Sequence, residues 1–253
     1  MIFVIDNKDF RMKYIVRELR KKYEVKLLDE VIPYEHKDSI LVLPIQGIDK
    51  SGIIKKTDFS LDEIISTLNP KVLVVPKNNP EYMKYGIHVI EYLTEDVEIE
   101  NSFYTLEGTL ALLIANTNNS IKENSILVTG YGKLGQTISK YLDILGAKVT
   151  VYSKYRLDLL HSRIAGYKVI DKIDKINYNV VINTIPAVIF TEEVLKQSKI
   201  GYYLELASPP YGIDMKYAKN KINTTIGSGL PGKFTPRSAG RLIGKKILEL
   251  LND

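Results

Sequence analysis

One stretch of this chain leaves little freedom in how it can fold. Ser125-Ile-Leu-Val-Thr129 is an apolar run of strand length, and Gly130-Tyr-Gly132-Lys-Leu-Gly135 follows at once. A helical run comes next, then Lys148-Val-Thr-Val-Tyr152, which leads into Ser153-Lys-Tyr-Arg156. A strand that feeds a glycine turn, a helix opened by that turn and a second strand together make the dinucleotide-binding fingerprint in its proper context. Gly130 permits the tight turn, Gly132 lets the backbone approach a pyrophosphate, and Gly135 permits close packing of helix on strand. The helix that starts near Lys133 then offers free N–H groups and its positive dipole end to phosphates, with Leu134 between the second and third glycines. The plain alternative is a structural glycine turn in an α/β domain.

The end of the second strand bears on which dinucleotide binds. Selectivity for NAD is usually enforced by an acid there, which accepts from the ribose 2′-hydroxyl. This chain offers Ser153, Lys154 and Arg156. Serine can donate to a phosphate oxygen, lysine adds charge and arginine can grip phosphate with two N–H groups. These residues favour NADP, with NAD as the alternative; the bland reading makes Lys154 and Arg156 surface residues at a helix start.

The rest of the chain alternates strand-like and helical patterns. Strands are expected at Ile2–Ile5, Val25–Leu28, Ile40–Leu43, Val72–Val75 and His88–Ile90, with helical spacing at Met12, Ile15, Val16 and Leu19 and again at Leu61, Ile64, Ile65 and Leu68. Leu106 to Ile114 reads as a linking helix, and Asn116 to Ser120 as a polar break. Further strands follow at Ile126–Thr129, Val149–Tyr152, Val180–Asn183, Tyr202–Leu206 and Ile222–Thr225, and a last helix runs from Ser238 to Leu251. Such alternation means α/β: two doubly wound parallel-sheet domains, the second a Rossmann dinucleotide-binding domain. The expected division is an N-terminal substrate-side domain at 1–104, a linking helix at 105–118, the dinucleotide domain at 119–230, and a loop and helix at 231–253 that can return to the first domain. Ligands are expected beyond the carboxyl ends of the strands, in the cleft of a two-lobed molecule.

Composition narrows the partners. The 253 residues contain no cysteine, and His36, His88 and His161 lack ligand spacing, so no metal site is expected. The net charge of +5 is spread over mixed helix faces, with no arginine-rich run, so neither nucleic acid nor membrane is expected as a partner. The cytoplasm is the default compartment, and a homo-oligomer stays open.

Four more segments carry candidate chemistry. Asn183-Thr184-Ile185-Pro186 ends a buried strand where the nicotinamide half of a dinucleotide usually passes, and Ala207-Ser208 ends the next. Either can equally be an ordinary proline-closed turn. In the glycine- and proline-rich segment 226–238, Thr235 or Ser238 can cap the last helix and Pro236 suits its first turn. Arg237 would meet an anion there beside free N–H groups, although a rigid connecting loop explains the spacing as well. Glu107, placed at the start of the linking helix, is a candidate acid/base, and an acid in a first turn is favourable for dipole reasons alone.

With these residues in view, the chain resembles the A subunit of dipicolinate synthase, a sporulation enzyme of endospore-forming bacteria. The resemblance rests on Asn101-Ser-Phe-Tyr-Thr105-Leu-Glu107-Gly108-Thr, the glycine fingerprint, Asn183-Thr-Ile-Pro186, Leu204-Glu-Leu-Ala-Ser208, Gly229-Leu-Pro-Gly232 and Pro236-Arg-Ser-Ala-Gly240, in that order. It covers roughly residues 100–245 well and the first hundred more loosely. The family usually carries Gly-Gly-Asp after its first strand, where this chain has Asp6-Asn-Lys-Asp9-Phe-Arg11, and Tyr104 stands where proline is frequent. The resemblance implies pyridine-nucleotide-dependent oxidation of a dihydrodipicolinate-type precursor to dipicolinate, in partnership with a flavoprotein-like B subunit. A dicarboxylate substrate needs cationic partners. Arg11 and Arg237 are the candidates, with Thr105, Gly232 and Ser238 beside them and Glu107 for proton handling. Two other readings stand: an NAD(P)-dependent oxidoreductase for another small carboxylic acid, or a non-catalytic protein that senses nucleotide and activates a partner. A shikimate- or 2-hydroxy-acid-type enzyme would need a Lys/Asp pair or a His/Glu relay, and neither His88 nor His161 sits well for one.

Overall fold

The computed structural model describes residues 1–28, 36 and 38–252. The chain divides into two compact units, one made of Met1–Asn101 with Pro231–Asp253 and the other of Ser102–Leu230.

The first unit contains β1 (Ile2–Ile5), α1 (Met12–Leu19), β2 (Val25–Leu28), β3 (Ile40–Val42), α2 (Leu61–Leu68), β4 (Val72–Val75), α3 (Pro80–Met83) and β5 (His88–Glu91). Its five strands are all parallel, in the order β2-β1-β3-β4-β5. Alternate side chains of each strand feed opposite faces. Ile2, Val4, Val42 and Val74 pack with α1, whereas Phe3, Ile5, Leu41 and Leu73 pack with α2. Because both faces are covered, these strands are continuously apolar in sequence.

Next, α4 (Glu95–Asn116) is a single helix of 22 residues. It begins ten residues before the expected linking helix, because Glu95, Asp96 and Glu98 occupy its first turn, where the positive helix end favours acids. Glu107 therefore lies more than three turns in, not at a helix start.

The second unit contains β6 (Ser125–Thr129), α5 (Lys133–Ile144), β7 (Lys148–Tyr152), α6 (Arg156–Ile164), β8 (Lys168–Ile170), β9 (Asn177–Asn183), α7 (Glu192–Gln197), β10 (Lys199–Glu205), α8 (Met215–Ala218) and β11 (Thr224–Ile226). All six strands are parallel, in the order β11-β10-β9-β6-β7-β8. Numbered within the unit this is 3-2-1-4-5-6, the doubly wound order of dinucleotide-binding domains. Short β8 has no counterpart in the strands expected from sequence, and β11 starts two residues later than expected.

Residues 226–238 form more than a loop, since α9 (Leu230–Phe234) precedes α10 (Pro236–Leu250). Pro236 takes the first helical position and Thr235 the N-cap, but no side-chain hydrogen bond caps the helix. Ser238 is inside the helix rather than capping it. Helix α10 packs on α1 through Gly240 and Gly244, one turn apart. A Cβ on Gly240 would stand 2.6 Å from the Arg11 carbonyl oxygen, and one on Gly244 would stand 2.7 Å from Glu18 Cβ. Only glycine lets the two backbones come this close.

Candidate functional site

The glycine turn builds a cradle at the carboxyl end of β6. Gly130 has φ +93°, and its N–H donates to the Tyr152 carbonyl at 2.8 Å, which closes the turn onto β7. A Cβ on Gly130 would lie 2.3 Å from Thr184 Oγ1, and one on Gly135 would lie 2.1 Å from the Gly130 carbonyl oxygen. Gly132 is different: a Cβ there would meet nothing within 4 Å. Two glycines are thus demanded by the protein's own packing, and the third leaves space for something else. Gly132 caps α5 without a side-chain hydrogen bond, and no acid occupies the first turn. An anion fits this end of the helix.

A cavity of about 620 Å³ opens over the cradle. Of the candidate cofactor residues, Gly130, Gly132, Lys133, Leu134, Gly135, Ser153, Lys154, Thr184, Ile185 and Pro186 line it, joined by Tyr131, Tyr155, Asp158 and Ala187. Four expected residues are absent from this wall. Arg156 is exposed at the first position of α6. Asn183 is fully buried behind the wall. Ala207 and Ser208 follow β10 without reaching the cavity, one buried and the other exposed.

The sugar end departs from expectation in its hydrogen bonding. Ser153 is buried, and its Oγ donates to Asp158 Oδ2 at 2.7 Å while accepting the Tyr155 N–H at 3.1 Å. The hydroxyl is thus already hydrogen-bonded within the protein. Asp158, in the first turn of α6, was not singled out by sequence; its signal was an acid three residues beyond a helix N-cap. Lys154 stays on the wall, with its Nζ 5.1 Å from the centroid of the Tyr155 ring.

Behind the opposite wall lies a polar network that sequence reading also missed. Glu205, at the end of β10, is fully buried and accepts four hydrogen bonds. Asn183 Nδ2 (2.6 Å) and the Ala207 N–H (3.0 Å) donate to one oxygen, and the Tyr203 hydroxyl (3.0 Å) and the Gly212 N–H (2.8 Å) to the other. Burial first, then the Glu205 charge and its hydrogen bond, push the Tyr203 hydroxyl far above the ordinary tyrosine range, so it remains a donor.

In the first unit, Arg11 and Asp9 form a buried pair beyond the carboxyl end of β1, beside the switch between β1 and β3 where ligands enter sheets of this order. Arg11 Nε and Nη2 donate to the two Asp9 oxygens, both at 2.9 Å, and each side chain is 7% exposed. Gln46 Nε2 donates to Asp9 Oδ2, and Asn7 Nδ2 donates to Gln46 Oε1. Burial alone would raise the Asp9 carboxyl; the hydrogen bonds and charge of Arg11, with Gln46, win and hold it well below the usual range. Gly232 packs against this pair, since a Cβ on it would sit 3.1 Å from Arg11 Nε. Arg237 and Ser238 are exposed in the first turn of α10, whose Gly240 rests on the Arg11 backbone. Four substrate-side candidates thus gather around the starts of α1 and α10. The fifth, Thr105, and the candidate acid/base Glu107 sit on α4 in the other unit, half-buried and exposed respectively. No group of three or more metal-ligating side chains occurs among the described residues, and no helix among them is long and apolar enough to cross a membrane.

A 3-2-1-4-5-6 sheet with a glycine cradle at its switch point, in one chain with a 2-1-3-4-5 unit, defines a dehydrogenase-type oxidoreductase built around a nicotinamide dinucleotide. No family model matches the chain. The A subunit of dipicolinate synthase from Bacillus subtilis (strain 168) is 30% identical over 244 residues, covering 88% of this chain and 80% of that protein. The chain belongs to the family of dipicolinate synthase A subunits. The crystal structure of the Bacillus halodurans A subunit matches with a TM-score of 0.82 at 27% identity, covering 100% of this chain and 98% of that one. D-Lactate dehydrogenase of Escherichia coli matches with a TM-score of 0.62 at 12% identity over 100% and 96% of the two chains, a likeness of fold alone.

Proposed function

We propose that this chain oxidises a dihydrodipicolinate-type precursor to dipicolinate with NADP, as the A subunit of a two-component synthase. The observation that carries the reading is the cradle of Gly130, Gly132 and Gly135 with Lys154 on the same wall. When bound, the dinucleotide supplies the hydride acceptor. The chain's own residues bind and orient. The backbone around Gly132 and the start of α5 take the diphosphate, and Lys154 supplies charge at the adenosine ribose, with exposed Arg156 beside it. The 183–187 turn bounds the nicotinamide half. The first unit is assigned to the dicarboxylate, with Arg11 held rigid by Asp9 and Arg237 exposed at the head of α10. Glu107, exposed in mid-helix, rests as a proton carrier on the family resemblance alone. The proposed partner is the flavoprotein-like B subunit.

Asp158 favours a second reading for the cofactor. Its carboxylate on the cavity wall accepts from Ser153 and could accept a ribose hydroxyl as well, which suits NAD. Titration of NADP and NAD against the purified chain separates the two. On the first reading Lys154→Ala weakens NADP by about 1.5–3 kcal/mol, the scale of a charge-assisted hydrogen bond, and leaves NAD almost unchanged. Equal losses refute the 2′-phosphate role. For the reaction, the chain with its B subunit should form dipicolinate and reduced cofactor from the precursor; absence of both products refutes the substrate assignment.

A further inference from the structure

We infer that Glu205 is a positioning residue that sets the nicotinamide half of the dinucleotide site. The inference rests on the dinucleotide reading above but concerns residues behind the cavity rather than on its wall.

Two loops leave the carboxyl ends of neighbouring strands β9 and β10, and the Glu205 carboxylate ties both. Through Asn183 it reaches the cavity wall. Asn183 Nδ2 donates to Glu205 Oε1 and to the Ile185 carbonyl at 2.9 Å, while its Oδ1 accepts the Thr129 hydroxyl at 2.6 Å and the Ile185 N–H at 3.2 Å. Ile185 lines the cavity, so Glu205 stands one side chain behind its surface. Through the N–H groups of Ala207 and Gly212, the other loop is pinned to the same carboxylate. Gly212 then binds the first loop, because its carbonyl accepts from the N–H groups of Ile189 and Phe190.

The residue type follows from this geometry. Four donors converge, and a carboxylate offers only acceptors. It also orients the Asn183 amide: with Nδ2 drawn to the carboxylate, Oδ1 must face Thr129. Glutamine would turn an NH₂ toward two donors, one of them a backbone N–H that cannot reverse. Gly212 must be glycine, because a Cβ there would stand 2.4 Å from Asn183 Nδ2. No lysine or arginine pairs with Glu205 among the described residues. The network spends a buried charge on holding two loops at the end of the sheet where the second half of a dinucleotide lies.

The test compares two probes on purified full-length chain: NADP, and its nicotinamide-free fragment 2′-phospho-ADP-ribose. The variants are Glu205→Gln, Tyr203→Phe, which removes one donor and keeps the charge, and Thr129→Val, which releases the Asn183 amide. The expected result is tenfold or greater loss of NADP affinity in Glu205→Gln, a smaller loss in the other two, and fragment affinity within twofold of wild type throughout. Equal loss of both probes in the folded variants, or no loss of either, overturns the inference. Should Glu205→Gln fail to fold, Thr129→Val and Tyr203→Phe decide by the same comparison. A wild-type chain that binds neither dinucleotide nor fragment refutes the dinucleotide reading itself, which is a distinct outcome.

Discussion

Replacing Gly132 with alanine should separate binding from folding. Gly132 has φ −71° and ψ −172°, an extended conformation that alanine adopts without strain, and a Cβ there meets no protein atom within 4 Å. Glycine-to-alanine exchange at a permitted conformation stabilises by about 0.4–1 kcal/mol through the unfolded chain. Against this, alanine is a poorer N-cap than glycine, by about 0.5–1 kcal/mol. The two terms nearly cancel, so Gly132→Ala should melt within about 2–4 °C of wild type. Binding should behave otherwise. On the proposed placement of the diphosphate, the methyl group occupies its approach to the start of α5, and the loss of one charge-assisted hydrogen bond costs about 1.5–3 kcal/mol. That is roughly a 10- to 150-fold weaker dissociation constant. Thermal melting followed by circular dichroism, with titration of the dinucleotide by calorimetry, reads both quantities. Gly135→Ala is the contrast, since its Cβ would collide with the Gly130 carbonyl and must lower stability itself. Unchanged dinucleotide affinity in well-folded Gly132→Ala would refute the placement of the diphosphate.

Two further substitutions concern the first unit. Asp9→Asn leaves Arg11 buried without its counter-charge and should cost about 3–5 kcal/mol, seen as a lower urea midpoint. Since the native Asp9 carboxyl is held below its unfolded value of about 3.9, its contribution is full above that pH and lost as the pH falls; acid titration of stability should therefore be shallower in Asp9→Asn than in wild type. Gly240→Ala drives a Cβ toward the Arg11 carbonyl and should cost about 1–3 kcal/mol, with a Tm lower by several degrees; an unchanged Tm would refute the close approach of α10 to α1.

What could be read in advance was what local rules govern. The fingerprint was legible because Gly130 and Gly135 have no sterically acceptable substitute, and the buried strands because both faces of each sheet are covered. The start of α4 was not, because its first turns are acidic and carry no apolar period; the cluster Glu95, Asp96 and Glu98 was the available signal. The bond from Ser153 to Asp158 was not legible because the acid lies five residues on, across a turn into a helix whose first residue could not be fixed from pattern. Glu205 lies within Leu204-Glu-Leu-Ala-Ser208, yet its role could not be read from that segment. An acid inside a strand buried on both faces is itself a signal, but its four donors come from the same strand, a neighbouring strand and a loop, and only the fold assembles them.

The packing of α10 on α1 has a consequence for biosynthesis. The first unit closes only with residues 231–253, whereas the second, Ser102–Leu230, is one uninterrupted piece of chain. On a translating ribosome, the side of α1 that receives Gly240 and Gly244 emerges long before its cover. At about 5–20 residues per second, synthesis of the intervening segment takes roughly 10–45 s. During that interval the second unit can already be complete, while the side of α1 that carries Tyr14, Ile15 and Glu18 waits uncovered until the last helix arrives.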